Sequence, residues 1–245
     1  LRWPQLPDSV AALSTTRRGG VSAAPYDDGA GGGGLNLGTH VGDDPAAVAQ
    51  NRALLRAQLP GEPAWLTQVH GTRVLDAAQV AGAPEADASI SDRRGAVCVI
   101  MTADCMPVLL ADAEGRVVGA AHAGWRGLAA GVLESTVAAM RASGAGQVLA
   151  WLGPGIGPAA FEVGDDVRDA FAHLGPAAQA AFRSIDGSRG KYHADLPALA
   201  RLALARVGVV DVAGGSDCTV SDPSRFYSYR RDRVTGRMAS LIWIS

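Results

Sequence analysis

Lysine is almost absent from this chain, and cysteine and histidine are both scarce. Lys191 is the only lysine among 22 basic residues, a bias that a GC-rich genome explains without a special role for each arginine. The three cysteines are an odd number without CxxC spacing, which excludes a complete disulfide framework within the chain, zinc ribbons and thioredoxin-like motifs. The five histidines are too few for a multicopper oxidase, whose combined copper sites need about ten together with a cysteine.

Neither the charge nor the apolar runs of the chain point to a nucleic-acid or membrane partner. The formal net charge is −2 and the pI is about 6.2, whereas nucleic acids and anionic membranes are recognised by a basic surplus. Apolar stretches stay below the roughly 18 residues that a spanning helix needs, and residues 1–5 lack the features of a signal peptide. We therefore expect a cytoplasmic protein with no nucleic-acid and no membrane partner.

The length and composition predict a soluble globular domain over residues 1–245. Hydrophobic residues make up 48% of the chain and charged residues 19%, values that are typical of globular proteins. A chain of this size buries roughly 70% or more of its unfolded surface, which is enough for a core without disulfides or metals.

Capping signals and apolar periodicity predict the helices. Asp44 and Pro45 indicate a helix start, because aspartate caps a helix and proline suits its first turn, and the apolar face continues to Leu59. Further helices are predicted at residues 127–143, 165–174, 176–182 and 195–207.

Apolar and β-branched runs predict the strands, which are expected at residues 64–70, 96–103, 107–111, 116–121, 148–152, 209–212 and 238–244. The two strands on either side of residues 112–115 are joined by a tight turn and must pair antiparallel. Strands and helices also alternate along the chain. We therefore predict an α/β fold of the α+β type rather than a purely parallel sheet.

A glycine-rich tract occupies residues 29–34 (GAGGGG). It lacks the preceding strand and the following GK[ST] of a phosphate-binding P-loop. We interpret the tract as a flexible surface loop.

The predicted hairpin places a cysteine near a histidine. If opposed residues have numbers that sum to about 228 or 229, Cys105 lies close to His122 at the open end of the hairpin. Such a pair supports either a nucleophilic thiolate or two ligands of a zinc site that one more histidine completes. His70 is the natural third ligand, although the sequence alone does not choose it over His40. Cys98 lies inside an apolar run and is interpreted as a small buried residue.

Three segments, residues 67–71 (TQVHG), 102–107 (TADCMP) and 121–127 (AHAGWRG), resemble the signature segments of the YfiH-like laccase-domain family. That family was first labelled polyphenol oxidase and later described as zinc-dependent purine nucleoside phosphorylases. Supporting matches follow in the same order along nearly the whole chain, at residues 35–43, 153–158 and 226–231. The long glycine tract departs from the family pattern, since relatives usually have a shorter connection there.

The resemblance implies a metal site and a fold. His70, Cys105 and His122 take the positions of the family's metal ligands, which implies Zn²⁺ as the cofactor, with Cu²⁺ as an alternative. The implied fold is a compact domain of two packed mixed β-sheets with flanking helices, similar to the cysteine-hydrolase-like catalytic domains of CNF-type toxins.

The implied function is that of a purine nucleoside phosphorylase with adenosine deaminase and methylthioadenosine phosphorylase activity. Its partners would be purine nucleosides and phosphate, and the protein a monomer or homodimer. Cys105, His122 and Asp104 are the expected catalytic residues, with Asp104 as proton shuttle and Glu162 as the second choice for that role. The residues expected to bind substrate are Asn36, Gln68, Arg126 and Arg230.

Other residues and other functions stay open at this stage. Arg126, Arg230 and Arg231 are candidates for the anion cradle that phosphate needs, and Arg17 is a further one, because arginine is planar and always charged. Tyr227 and Tyr229 would face the same side if the chain is extended there, and Trp125 is interpreted as core. The alternative functions are a cysteine-type amidase that edits peptidoglycan precursors, a copper-dependent polyphenol oxidase and a non-enzymatic metal binder.

Overall fold

A computed structural model describes all residues 1–245. The strands are β1 (Val10–Ser14), β2 (Arg18–Ser22), β3 (Pro63–Ala64), β4 (Val74–Asp76), β5 (Ala88–Ser91), β6 (Val97–Thr102), β7 (Met106–Asp112), β8 (Val118–Ala123), β9 (Val148–Leu152), β10 (Glu162–Gly164), β11 (Phe182–Ser184), β12 (Lys191–Ala194), β13 (Val212–Gly214) and β14 (Met238–Ile244). The helices are α1 (Pro45–Arg56), α2 (Trp125–Ala130), α3 (Val132–Ala142), α4 (Asp165–Ala170), α5 (Pro176–Gln179), α6 (Leu196–Arg206) and α7 (Tyr229–Asp232). Two 3₁₀ turns lie at Ala77–Gln79 and Ala172–Leu174.

All strands except β2 form three sheets, two of which contain both parallel and antiparallel pairs. A six-stranded sheet has the order β13-β9-β7-β8-β5-β4, and a four-stranded sheet has the order β1-β14-β6-β3. A small antiparallel sheet has the order β10-β12-β11. The prediction of a mixed α+β fold is therefore confirmed.

Alternating side chains of the strands explain how the two large sheets pack. Leu109 and Ala111 of β7 contact Cys98 and Ile100 of β6 in a core between the sheets. Their neighbours in sequence, such as Val108, lie on the opposite face, where the six-stranded sheet packs against α2, α3 and α6. The outer face of the four-stranded sheet is covered by α1. Two packed sheets with flanking helices are thus present, as predicted.

The predicted helix over residues 127–143 is wrong in one respect, because it is two helices. Gly131 lies between α2 and α3 with φ of 97°, a left-handed conformation that ends the first helix. The start of α1 is confirmed, since the Asp44 side chain accepts a hydrogen bond from the Ala46 N–H.

The predicted strand over residues 64–70 is mostly wrong. Only Pro63–Ala64 pairs as a strand, and residues 65–70 are irregular because their backbone bonds to side chains and loops instead of a neighbouring strand. Shorter elements also replace three other predictions. Helix 165–174 ends as a 3₁₀ turn, helix 176–182 gives way to β11, and the strand expected at residues 209–212 is instead Val212–Gly214.

Local hydrogen bonds and close packing hold parts of the glycine tract, whose flexibility stays a prediction. The Asp28 carboxylate accepts hydrogen bonds from the Ala30 and Gly32 N–H groups. A Cβ atom at Gly34 would overlap the Tyr26 carbonyl, so the end of the tract packs tightly against the chain.

None of the helices is long and apolar enough to cross a membrane.

Candidate metal centre

Cys105 and His122 come together at the open end of the β7–β8 hairpin. Pro107 pairs with His122 in the antiparallel register, and Cys105 lies two residues before Pro107, on the same face of the strand. The residue numbers of each pair sum to 229, which is one of the two registers predicted. The thiol is therefore a diagonal neighbour of the imidazole, as the hairpin argument required.

His70 reaches the same point from the loop that follows β3. Its Nε2 atom lies 3.6 Å from the Cys105 Sγ atom. The His70 and His122 rings are 4.7 Å apart between centroids and nearly edge to face. One donor atom from each of His70, Cys105 and His122 lies within 4.8 Å of the others, and the chain has no other such group of three. His70, Cys105 and His122 thus converge and His40 is not part of this group, while their role as metal ligands stays a prediction.

Asp87 orients both histidines at once. Its fully buried carboxylate accepts a 2.8 Å hydrogen bond from His122 Nδ1 and a 2.9 Å bond from the His70 backbone N–H. It also accepts from the N–H groups of Val69 and Gly71. Because Nδ1 of His122 is engaged, Nε2 is the nitrogen left for a metal or for the thiol. Sequence reasoning missed Asp87, which lies just before β5 in an undistinguished segment.

Burial and charge work against each other at these residues. Burial would raise the pKa of the Cys105 thiol, but the charge of His122 and hydrogen bonds from both histidines lower it below 9.0. Burial would lower the pKa of His122, but the Cys105 thiolate and the Asp87 carboxylate raise it above 6.5. Without a metal the site therefore favours a thiolate–imidazolium pair. By contrast, burial raises the pKa of Cys98 to about 12, which fits its interpretation as an inert core residue.

The backbone around the site is strained. Only three non-glycine residues have positive φ, namely His70 at 61°, Asp104 at 93° and Arg233 at 64°, and all three line one cavity. Such conformations persist where the surrounding contacts fix them, and they concentrate at functional sites. At Asp104 the contacts are visible, because its carboxylate accepts 2.6 Å hydrogen bonds from the Thr219 hydroxyl and the Arg230 N–H.

Gly124 leaves the space in which the site is built. A Cβ atom there would lie 2.7 Å from His70 Cδ2 and 2.9 Å from Cys105 Sγ. The backbone of Gly124 is extended, with φ of −67°, so the requirement for glycine here is one of space and not of conformation.

The three donors open into a cavity of about 810 Å³, a volume in the range of small-molecule sites. Aromatic rings and five arginines line this cavity besides the donors. The aromatic residues are Trp65, Trp125, Phe161 and Tyr229, and the arginines are Arg52, Arg126, Arg230, Arg233 and Arg237.

Besides the three donors, four predicted site residues line the cavity, namely Gln68, Asp104, Arg126 and Arg230. The polar side-chain atoms of Gln68 and Asp104 are hydrogen-bonded to the protein itself. The Gln68 amide is joined at 2.8 Å to both the N–H and the carbonyl of Met101. The Asp104 carboxylate is engaged as described above. Arg126 is exposed and stacks on Trp125 at 4.5 Å, and Arg230 Nη1 donates to the Glu162 carbonyl at 3.1 Å.

Other predicted residues lie away from the cavity. Asn36 is fully buried and its amide bonds to Gly38, Asp43 and Arg237. The guanidinium groups of Arg17 and Arg231 bond to carbonyl and carboxylate oxygens of the protein. The exposed carboxylate of Glu162 lies 3.7 Å from Lys191, and Tyr227 is buried.

Two interpretations of the aromatic residues need correction. Tyr227 and Tyr229 do not share a side, because α7 begins at Tyr229 and turns its ring into the cavity lining while Tyr227 stays in the core. Trp125 does pack against the core, but as a half-buried residue it also lines the cavity.

Residues 11–245 match the family described as multi-copper polyphenol oxidoreductase laccase. The chain belongs to this family. Two laccase-family relatives are named purine nucleoside phosphorylases. YfiH of Escherichia coli is 52% identical over 249 residues, covering 99% of this chain and 97% of the relative. PA4543 of Pseudomonas aeruginosa is 52% identical over 242 residues, covering 99% and 96%. The resemblance to YfiH-like proteins is thus confirmed.

Solved structures share the fold of this chain. A protein from Neisseria meningitidis has a TM-score of 0.91 at 51% identity, covering 100% of this chain and 97% of that one. YlmD from Geobacillus stearothermophilus has a TM-score of 0.87 at 31% identity, covering 99% and 94%.

Proposed function

We propose that this protein is a zinc-dependent purine nucleoside phosphorylase that also deaminates adenosine and cleaves methylthioadenosine. The observation that carries the proposal is the convergence of His70, Cys105 and His122 at a cavity of small-molecule size. The names of the relatives support the nucleoside substrate and phosphate as the co-substrate.

The donor set fits Zn²⁺. Two imidazole nitrogens and one thiolate are ligands that zinc prefers, and three protein ligands leave the fourth position open, as in catalytic zinc sites. Asp87 adds the carboxylate–histidine arrangement that fixes such ligands. Zn²⁺ bound to His70, Cys105 and His122 would supply Lewis-acid stabilisation of negative charge at a substrate oxygen. A copper-dependent polyphenol oxidase is the less favoured function, because one group of three donors is too few ligands for a multicopper centre.

Phosphorolysis requires that a phosphate oxygen attack C1′ of the ribose while the bond to purine N9 breaks. The electron pair of that bond goes to N9, and the proton of the hydrogen phosphate ends on the purine. The products are a free purine and ribose 1-phosphate. The chain's contribution is to hold the two substrates in line and to surround the charge with fixed donors. Arg126 and Arg230 are the proposed nucleoside contacts on the side of α2 and α7, and Trp125 offers a stacking surface for the purine.

The predicted roles of the polar residues are revised within this proposal. Gln68 and Asn36 act by positioning β6 and the segment at Arg237, because the Gln68 amide bonds to the N–H and carbonyl of Met101 and the Asn36 amide accepts the N–H of Arg237. Asp104 keeps its place at the cavity, but its two carboxylate oxygens already accept hydrogen bonds from the Thr219 hydroxyl and the Arg230 N–H. Deamination would exchange the C6 amino group of adenosine for a water oxygen and release ammonia.

The test combines metal analysis with product analysis. Purified protein is assayed for bound metals and incubated with adenosine or inosine, with and without phosphate. The proposal expects about one zinc per chain and ribose 1-phosphate only when phosphate is present. Hypoxanthine or inosine formed from adenosine would support the deaminase activity. Turnover of neither nucleoside by metal-loaded protein would leave only a metal-binding role.

A cysteine-type amidase is the second candidate, and the Asp87–His122–Cys105 chain of contacts favours it. A carboxylate that orients a histidine beside a thiol is the arrangement of cysteine nucleophiles. Cys105 and His122 cannot bind a metal and act as a free nucleophile and its base at the same time, so the two functions predict opposite effects of a chelator.

A further inference from the structure

Two arginines in the cavity lack the carboxylate partners that Arg17 and Arg231 have. Arg17 pairs with Asp27 at 3.3 Å, and Arg231 pairs with Asp232 at 2.7 Å. Arg52 and Arg237 are half-buried cavity residues, and neither forms an ion pair with a carboxylate. A guanidinium removed from water without a counter-charge is costly unless an anion takes that place.

The guanidinium nitrogens of both residues are only partly used by the protein. Arg52 Nε donates to the Leu37 carbonyl at 2.9 Å, and its Nη2 has only a weak contact of 3.8 Å with Met101 Sδ. Arg237 Nη1 donates at 3.1 Å to two carbonyls, those of Thr235 and Gly236. Arg52 Nη1 and Arg237 Nε and Nη2 form no hydrogen bond with the protein, so donors remain for a ligand.

A third basic group belongs to the same cluster. His40 lines the cavity, and its ring makes no hydrogen bond with the protein. His40 is exposed at the edge of this group, and its pKa is lowered by partial burial and by the positive charges of Arg237 and Arg52. The one acid whose charge reaches Arg52 is Glu62, which is exposed and already contacts Arg56 at 3.6 Å.

The protein holds this cluster in place with buried contacts. The Leu37 N–H donates to the Arg237 carbonyl at 3.1 Å, while the Leu37 carbonyl accepts from Arg52. The buried Asn36 amide accepts from the N–H of Arg237 at 2.8 Å and from that of Gly38 at 3.0 Å. A Cβ atom at Gly38 would lie 2.8 Å from Arg237 Cγ. Trp65 also fixes Arg52, whose guanidinium carbon lies 3.9 Å from the ring centroid.

The cluster lies beside the metal centre. Burial lowers the pKa of Arg237, and the negative charges of Cys105 and Asp104 act on it in the opposite direction. Both oxygens of Asp104 are already taken by Thr219 and Arg230, so this carboxylate does not neutralise Arg237 by a direct ion pair.

We propose that Arg52, Arg237 and His40 form the subsite that binds a phosphate group. The inference rests on the proposed function, and it assigns inorganic phosphate, the co-substrate of phosphorolysis, to this end of the cavity. Arg126 and Arg230, which the sequence led us to expect at the phosphate, are then left for the nucleoside. Fixed guanidinium groups with free donors match phosphate geometry better than a flexible ammonium would.

The first test measures the Michaelis constants of phosphate and nucleoside separately in the full chain. Arg52→Gln and Arg237→Gln should each raise the phosphate KM by about 10- to 100-fold, the loss of a charge-assisted hydrogen bond, and change the nucleoside KM little. Gly38→Ala keeps every charge but displaces Arg237, so it should also raise the phosphate KM and change the nucleoside KM little. It replaces Arg237→Gln as the test if that variant folds poorly. Arg183→Gln is the matched control, because Arg183 is exposed in β11 and makes no ion pair. An unchanged phosphate KM in all three cluster variants would overturn the proposal.

The second test does not need turnover. Phosphate should raise the melting temperature of the wild type over chloride at equal ionic strength, and the Arg52→Gln/Arg237→Gln double variant should lose this shift. Adenosine monophosphate serves as a second probe. Stabilisation by phosphate supports a free-phosphate subsite, and stabilisation by the nucleotide alone supports the same residues as a nucleotide-phosphate subsite. If the wild type lacks phosphorolysis but shows the shift, the proposed function fails and the subsite stands. No shift with either probe, or an equal shift in the double variant, would overturn the subsite.

Discussion

The Asp87 carboxylate accepts a hydrogen bond from His122 Nδ1 at 2.8 Å, and with the same oxygen it accepts the His70 N–H at 2.9 Å. One buried carboxylate thereby orients the ring of one candidate ligand, His122, and holds the backbone of another, His70. It fixes the distance between two elements that are far apart in sequence.

Asp87→Asn should weaken zinc binding by about 10- to 100-fold, because outer partners of ligating histidines orient and polarise them. The variant should also lose about 1–3 kcal/mol of unfolding free energy, since an amide nitrogen cannot accept from the loop N–H groups. Competition with a chromophoric chelator measures the affinity, and urea unfolding measures stability. Asp92→Asn is the control, because Asp92 is exposed and free of hydrogen bonds. Equal affinities for the two variants would show that Asp87 is structural only.

Cys105→Ala should abolish phosphorolysis, whereas Cys98→Ala should leave it largely intact. Cys105 lies within 3.6 Å of His70, whereas Cys98 is fully buried between the sheets. The cost of Cys98→Ala should be a modest loss of stability, about 1 kcal/mol, from the smaller side chain. Activity assays with folding checked by circular dichroism decide the matter. Equal losses in both variants would count against the assignment of Cys105.

Gly124→Ala should lower metal occupancy while the fold is kept. The added methyl would lie 2.7 Å from His70 Cδ2 and 2.9 Å from Cys105 Sγ, and it must push at least one donor away. Gly146→Ala is the matched control, because its Cβ would meet only the flexible ends of Arg116 and Asp112. Metal content per chain after dialysis is the measurement. Full occupancy in Gly124→Ala would mean that the donors can retreat without loss.

The pH dependence of Cys105 alkylation should distinguish a metal ligand from a free nucleophile. In chelated protein the pKa of Cys105 lies below 9.0, because His122 and His70 stabilise the thiolate. Reaction with iodoacetamide should therefore remain fast below pH 9 and slow only as the pH falls through the lowered pKa. Added zinc should protect the thiolate. Alkylation that is equal or faster in zinc-loaded protein would favour the amidase.

The hairpin and the core strands could be predicted because their signals are local. The run at residues 96–103 and the turn at residues 112–115 fix β6, β7 and β8, and with them the approach of Cys105 to His122. The conformation of residues 65–70 could not be predicted, because a distant side chain, Asp87, accepts hydrogen bonds from the N–H groups of Val69 and His70 and from that of Gly71 just after them.

The sequence also could not show which histidine joins Cys105 and His122, or which arginines lack a partner. Residue type alone did not separate His70 from His40 or Arg237 from Arg231, since only tertiary contacts show which groups are already paired. The interpretation of residues 1–245 as one domain, the cytoplasmic location and the oligomeric state stay predictions.

The most direct test of the account is phosphate-dependent formation of ribose 1-phosphate by the full chain after chelation and again after zinc is restored. We expect product formation to cease when the metal is removed and to return with about one equivalent of Zn²⁺ per chain, because His70, Cys105 and His122 form one site. Turnover that survives the chelator, with no metal bound, would contradict the account.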